Sequence, residues 1–400
     1  MDRSRMFLGS SIGLIALTQL AFMPIVRAAE PFKVGFIGAL SGPFASLAES
    51  FDKGARLYEK LHAKDLPAGV TVQVIRRDDA GSPDNTRRIA QELIVREHIK
   101  LIAGIALSPQ GFALSKLATE AKIPVVLMNA TTSSLTRSSP YFVRFSYTQW
   151  HTAYSMGIWA AKNGIKTADS LVADYAAGVD SEAAFKKGFE ENGGKVVNAV
   201  RAPMTTNDYL PFMERIKADK PEAVFTFVNG GRMASLSKSF VDTGLKAAGA
   251  KLIGPGDVAL DDEVRNLPPD IAGLVTAACY TLANKNPANV EFVKAWKAEY
   301  GEDSIPNITA VSGWDGMSAI YGAAKALGGD AGSDEILKYL SNWKGADTSP
   351  RGDVSIDPAT RDIVLPIEIN KVEIVDGKPT NVTMETLPPL KDPWKTFNLE

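Results

Sequence analysis

Cysteine is almost missing from this 400-residue chain; Cys279 is the only one. A lone thiol cannot close an intramolecular disulfide, so a disulfide scaffold is excluded. Cys279 lies in the apolar run LVTAACY and reads as an inert buried residue. Histidine is nearly as scarce: His62, His98 and His151 are scattered and, with one cysteine, offer no zinc spacing. Each reads as a surface or helix-face residue, and neither a metal nor a cofactor is expected. A charge excess is also lacking, since 44 Lys and Arg against 46 Asp and Glu leave a formal net charge of −2. That gives no footing for nucleic acid, and without charge runs a membrane-surface role gains none either. Beyond the N-terminus no stretch approaches the ~18 apolar residues of a membrane span.

Enzyme signatures are absent as well. The first apolar run carries Gly35-x-x-Gly38-x-x-x-Gly42 followed by Pro43, which is not the G-x-G-x-x-G dinucleotide loop. Neither a P-loop nor a G-x-S-x-G nucleophile elbow occurs. The pairs Asp78-Asp79 and Asp261-Asp262 are adjacent in sequence and read as solvated turns rather than a glycosidase pair. Arg351-Gly352-Asp353 is a common tripeptide and is given no adhesion role. An enzyme is therefore not expected, although a hydrolase whose residues meet only in space stays open as a weaker alternative.

Several positive signals remain. Arg3 and Arg5 precede an apolar run from Met6 to Val26, and Val26-Arg27-Ala28-Ala29 is a small-residue cleavage pattern. Residues 1–28 are thus predicted to be a secretory signal peptide, cut after Ala28. With no cysteine nearby for lipid attachment, a periplasmic protein with no direct membrane insertion follows. The hydrophobic fraction of 45% supports a sizeable core, and the length predicts about two domains of ~100–200 residues.

The chain is organised around residues 100–132. Leu101 to Ile105 reads as a strand ending at Ser108-Pro109, and Leu114, Leu117, Ala118 and Ala121 recur at helical spacing. Ser108 suits a helix N-cap and Pro109 the first helical position. Val125 to Met128 is a second strand, ending in Asn129-Ala130-Thr131-Thr132. In an open parallel sheet both loops lie at the carboxyl edge, where ligands bind. Hydroxyls and free N–H groups beside a helix start can seat a carboxylate. The same residues would also serve merely as a cap and a turn, and spacing alone does not separate the two.

The rest of the chain repeats the alternation. Strands are predicted at 32–40, 70–74, 141–145, 170–173, 196–200, 223–228 and near 252–253, with amphipathic stretches between most of them. Helices follow at 288–299, 309–327 and 333–342; the tail 353–375, with the turn signal Asp376-Gly377, reads as paired strands. Two successive blocks of alternating elements predict an α/β fold of two lobes.

Taken in order, certain stretches resemble a known family. They are Val34-Gly35 with Leu40-Ser41-Gly42-Pro43; Asp78-Asp79 before Pro83; Ile102-Ala103-Gly104 with Ser108; Ala130-Thr131; and Tyr141-Phe142-Val143-Arg144. Gly178 after Asp174-Tyr175, Pro221-x-Ala223-Val224-Phe225 and Gly244-Leu245 complete the series. Together they resemble the periplasmic solute-binding proteins of the branched-chain amino acid (Leu/Ile/Val-binding) class, which serve ABC importers. The likeness spans nearly the whole mature chain. It implies the type I periplasmic binding fold: two lobes, each a parallel sheet flanked by helices, three hinge crossovers, and a ligand in the cleft. Lobe 1 would comprise 31–148 plus 282–350, and lobe 2 would comprise 149–281 plus 351–400. It also implies ABC permease subunits as partners and a monomer in solution.

By the same resemblance, Ser108, Ala130 and Thr131 hold the ligand carboxylate, with Asn129 beside them. Two departures bear on the ligand. The family's Tyr-Gly on the second lobe's first loop is here Ala177-Gly178, and a glutamate after Gly-Pro is replaced by Gly256-Asp257. Leu47 also stands where some relatives have an aromatic residue. These changes predict an enlarged pocket that prefers a bulky carboxylate, aromatic acids among them. The competing outcome is that Tyr175 swings in and Asp257 takes an ammonium, leaving an ordinary amino-acid site. Asn229 and Tyr280, at or near strand ends, are further candidates for the cleft. An amide or urea binder and a periplasmic sensor are the alternative functions.

Overall fold

The alternating apolar and amphipathic stretches fold into two sheets with helices packed on them, in a computed structural model that describes residues 30–228 and 231–398. The predicted signal peptide lies outside the described residues. The first block comprises β1 (Phe32–Gly38), α1 (Ala45–His62), β2 (Val72–Asp78), α2 (Pro83–Glu92), β3 (Leu101–Gly104), α3 (Ser108–Glu120), β4 (Val125–Leu127) and β5 (Phe142–Arg144). Its strands run parallel in the order β2-β1-β3-β4-β5. Every residue of β3, β4 and β5 is buried; β3 and β4 are continuous apolar runs, as a sheet covered on both faces requires, while β5 ends in the charged Arg144.

The second block comprises α4 (Gln149–Lys162), β6 (Thr167–Ala173), α5 (Ala176–Glu190), β7 (Lys195–Ala202), α6 (Leu210–Asp219), β8 (Ala223–Phe227), α7 (Met233–Asp242), β9 (Lys251–Pro255), α8 (Asp261–Val264) and β10 (Val275–Ala278). Three helices follow, α9 (Pro287–Tyr300), α10 (Ile308–Leu327) and α11 (Ser333–Ser341). The chain ends with β11 (Ser355–Ile356), β12 (Ile363–Val375), β13 (Lys378–Leu390) and α12 (Pro393–Phe397). The second sheet runs β11-β12-β10-β9-β8-β6-β7, with β13 on the free side of β12. It is parallel from β7 to β10, but β12 pairs antiparallel with β10.

Helix α10 returns to the first sheet and lies on α1. A Cβ at Gly54 would sit 1.9 Å from the Ala310 carbonyl oxygen, and one at Gly313 would sit 1.9 Å from that of Phe51. Only hydrogen at both positions allows the two backbones to approach so closely. The chain therefore passes between lobes three times, through 145–148, 279–286 and 342–354.

Buried charge ties these passages together. Arg351, fully buried, pairs with Asp315 of α10 at 2.6 Å and donates to the Phe145 carbonyl at 2.8 Å. The Arg351-Gly352-Asp353 tripeptide is thus part of a hinge. Arg144 lies 3.3 Å from Asp362, which also pairs with Lys395 of α12 at 3.1 Å.

One sequence expectation is narrowed here and one corrected. Of the two places expected for a histidine, surface or helix face, His151 takes the second: it is buried on α4, with Nδ1 2.8 Å from the Thr148 hydroxyl at the helix start. Burial pushes its pKa down to about 4, so the imidazole stays neutral. The acidic pairs are not solvated turns. Asp79 is buried and accepts from the Thr86 hydroxyl and the Gln110 amide, each at 2.6 Å. Asp261 accepts from the Asn381 amide at 2.9 Å and Asp262 from the Asn307 amide. Asp78 alone is exposed.

Candidate ligand-binding site

The loops after β3 and β4 lie side by side at the carboxyl edge of the first sheet, because the strands are parallel neighbours. Helix α3 starts there. Leu107, not Ser108, is its cap residue; the Gln110 side chain accepts from the Leu107 N–H at 2.7 Å, and Asp79 anchors Gln110 from behind. Ser108 is consequently the first helical residue, which frees its side chain from capping. The Ser108 hydroxyl oxygen instead accepts from the Thr132 N–H across the gap, at 3.2 Å. Asn129 donates to the Ala106 carbonyl at 2.6 Å, and Arg144 donates to that of Thr132 at 2.6 Å. The two loops are thereby locked to each other.

A cleft opens between these loops and the second sheet. Ser108, Asn129 and Thr131 line it from the first sheet, Leu47 from α1, and Tyr175, Ala177 and Asp257 from the second block. Its atom-free space is about 540 Å³, counted out to an open mouth. Seven sequence candidates therefore meet around one cavity. Two do not: Ala130 is buried behind it, its N–H donating to the Ile105 carbonyl at 3.2 Å, and Tyr280 donates to Asn289 at 2.9 Å away from the lining. The Ala130 amide is thus already engaged. Asn229 lies outside the described residues.

Sequence reasoning missed several lining residues. Tyr147 lies on the first crossover, Leu260 and Glu263 flank or belong to α8, and Ile308 and Thr309 open α10. The only signal for the last two was Asn307, whose side chain caps α10 by accepting from the N–H groups of Thr309 and Ala310 at 3.0 and 3.1 Å. The ring lost at Ala177 is replaced by two others, Tyr147 and Tyr175, and Tyr175 stacks near-parallel on Phe227 at 6.1 Å.

The electrostatics are those of a site without a fixed cation. No lysine or arginine lines the cleft among the described residues; its ionisable acids are Asp257 and Glu263. Burial raises the pKa of Asp257, opposed by the nearby Tyr147 hydroxyl and by the Gln149 amide, which donates to it at 3.0 Å. The Gln149 amide also lies 3.3 Å from the Thr131 hydroxyl, so one side chain bridges Asp257 and Thr131. Burial, helped by the charge of Asp262, pushes Glu263 up to about 7. Both acids are therefore biased toward the neutral form. The hydroxyl oxygens of Ser108 and Thr131 each accept one protein hydrogen bond, and neither hydroxyl donates to a protein group among the described residues. Each has a proton left for an anion, at the positive end of a 13-residue helix in the case of Ser108.

Comparison with known proteins fits this geometry. The profile of the periplasmic binding protein family matches residues 31–378. The chain belongs to that family. This periplasmic binding protein is 36% identical to Leu/Ile/Val-binding protein homolog 6 of Brucella melitensis over 386 residues, covering 95% of this chain and 98% of the relative. A solute-binding protein of an ABC transporter from Rhodopseudomonas palustris BisB5, solved with 3,4-dihydroxybenzoic acid, is similar at 43% identity and a TM-score of 0.86. That match covers 91% of this chain and 99% of the other. A second, from strain HaA2 and solved with p-hydroxybenzoic acid, is similar at 37% identity and a TM-score of 0.86, covering 91% and 98%. The protein is thus a substrate-binding component of the Leu/Ile/Val-binding class of ABC importers, and its relatives are binding proteins rather than enzymes. Among the described residues no helix is long and apolar enough to cross a membrane.

Proposed function

We propose that this periplasmic binding protein captures an aromatic carboxylate of the benzoic acid class and presents it to the permease subunits of an importer. The observation that carries the reading is the pair of hydroxyls at Ser108 and Thr131, each with its oxygen engaged by a protein donor and its proton unspent. Such donors suit a carboxylate, and each hydrogen bond to a charged group contributes about 1.5–3 kcal/mol. Leu47, Leu107, Tyr147, Tyr175, Leu260 and Ile308 supply apolar and aromatic walls for a ring. The hydroxybenzoic acids bound by the two Rhodopseudomonas relatives support the same class. Ligand seated between the lobes favours the closed arrangement through contacts that only that arrangement makes.

Supporting roles complete the proposal. Residues 1–28 direct export and are removed, and the mature chain works as a monomer. Its lobes comprise 31–148 plus 282–350 and 149–281 plus 351–400, in keeping with the return of α10 to α1. Calorimetry with benzoate, 4-hydroxybenzoate, 4-hydroxybenzamide and leucine tests the ligand class. The acids should bind, and the amide should bind at least tenfold more weakly than its acid. Tight leucine binding with no heat from either aromatic acid would overturn the reading.

A second reading rests on one specific observation. Asp257 lines the same cleft as Thr131 and is bridged to it through Gln149. On that reading Asp257 pairs with the ammonium, and leucine is the ligand that wins the same titration.

A further inference from the structure

The two acids of the cleft occupy different surroundings. Asp257 belongs to the carboxylate seat, being joined to Thr131 through the Gln149 amide by contacts of 3.0 and 3.3 Å. Glu263 belongs to α8, and α8 is fixed against the start of α10. There, both carboxylate oxygens of Asp262 lie 2.9 Å from the Asn307 amide nitrogen, and the next two residues, Ile308 and Thr309, line the cleft. Glu263 thus faces the cavity from the α8–α10 side, while Ser108 and Thr131 face it from the edge of the first sheet. Its neighbours Asp261 and Asp262 both spend their carboxylates on protein donors, from Asn381 and Leu282 and from Asn307. The Glu263 carboxyl alone among the three makes no hydrogen bond or ion pair with any described residue.

We propose that Glu263 is a specificity-determining residue of the cleft, whose carboxyl group pairs with a ring hydroxyl at the end of the ligand remote from its carboxylate. The inference rests on the aromatic-acid reading above and goes beyond it by assigning the second polar contact and its chemistry. A half-buried acid left without a partner favours a ligand that supplies one and disfavours an otherwise identical ligand that does not. Because burial raises the pKa of Glu263 to about 7, a large share of the carboxyl is neutral at pH 7, and in that form it can accept from the phenol and donate to it without setting a second negative charge against the bound anion. Asp257, tied into the carboxylate seat, leaves this role to Glu263.

Paired calorimetric titrations with benzoate and 4-hydroxybenzoate test the inference on the full mature chain, Glu263→Leu and Glu263→Gln. The wild type should prefer 4-hydroxybenzoate over benzoate by tenfold or more. In Glu263→Leu the preference for the hydroxylated acid over benzoate should fall to twofold or less, whatever the change in benzoate affinity itself. Glu263→Gln, which keeps a donor and an acceptor, should retain most of the preference. Retained benzoate binding also shows that the variants fold; if Glu263→Leu does not, Glu263→Ala carries the same comparison. An unchanged preference in Glu263→Leu or Glu263→Ala, or a wild type that binds both acids equally, overturns the inference and leaves the aromatic-acid reading standing. A wild type that binds neither acid overturns that reading, and this inference with it.

Discussion

Removing the two hydroxyls that face the cleft should abolish most of the affinity for an aromatic acid. In the structure the Ser108 hydroxyl accepts from the Thr132 N–H at 3.2 Å, and the Thr131 hydroxyl accepts from Gln149 at 3.3 Å. Those bonds orient the hydroxyls and leave one proton on each for the ligand. A hydrogen bond from a neutral donor to a carboxylate contributes about 1.5–3 kcal/mol, or roughly 10- to 150-fold in Kd. Thr131→Val, which keeps the shape, should show the loss of one such bond. Ser108→Ala should cost at least as much, because it also leaves the buried Thr132 N–H without its acceptor. The two hydroxyls share one ligand carboxylate, so their effects need not add. The double variant should still weaken binding about 100-fold or more, equivalent to roughly 2.7 kcal/mol. Isothermal titration with 4-hydroxybenzoate at pH 7 reads this directly, with thermal melts to show that the variants are folded. A folded double variant that binds within threefold of wild type would refute the reasoning.

Other consequences follow from the same structure. Asp262→Ala removes the carboxylate that holds the Asn307 amide across the cleft, a contact between α8 on the second sheet and α10 on the first. Ligand affinity should fall several-fold by titration, and an unchanged affinity would show that the bond does not favour closure. Arg351→Ala leaves Asp315 buried without its partner and should cost about 3–5 kcal/mol, read as a lower midpoint in chemical denaturation. An unaltered midpoint would contradict the assigned role of that pair. Stability should also fall as pH rises from 6 to 8. Burial pushes Glu263, Asp169 and Asp392 up to about 7, above the values carboxyls have in an unfolded chain. The stabilisation from their protonation is complete below about pH 4 and is lost as pH climbs through 7. His151, held down at about 4, works the other way, gaining stability only up to its unfolded value near 6.5. A Tm that rises steadily from pH 6.5 to 8 would contradict this balance.

Much of the fold was legible because its signals are local. Apolar runs marked the strands, helical spacing marked α3, the stretches 288–299, 309–327 and 333–342 marked α9, α10 and α11, and Asp376-Gly377 marked the turn between β12 and β13. The carboxyl-edge loops were legible for the same reason, since a strand-helix-strand unit fixes which loops face the ligand side. What the sequence hid is what depends on distant packing. Ile308 and Thr309 reach the cleft only because Gly54 and Gly313 let α10 lie against α1, more than 250 residues apart in the chain for Gly54. Ala130 matched the family pattern, yet the Ile105 carbonyl takes its amide, a pairing set by the left-handed turn at Ile105. Asp79 looked like part of a wet turn until Gln110 and Thr86 came to meet it. Glu263 carried no motif at all; its chemistry arises from burial and from its neighbour Asp262.

The most direct test of the central claim is a crystal structure of the mature protein grown with 4-hydroxybenzoate. The claim predicts the acid between the lobes, its carboxylate oxygens 2.6–3.0 Å from the hydroxyls of Ser108 and Thr131, within the ordinary range for such bonds. A ligand bound elsewhere, or one whose carboxylate turns away from both hydroxyls, would contradict it.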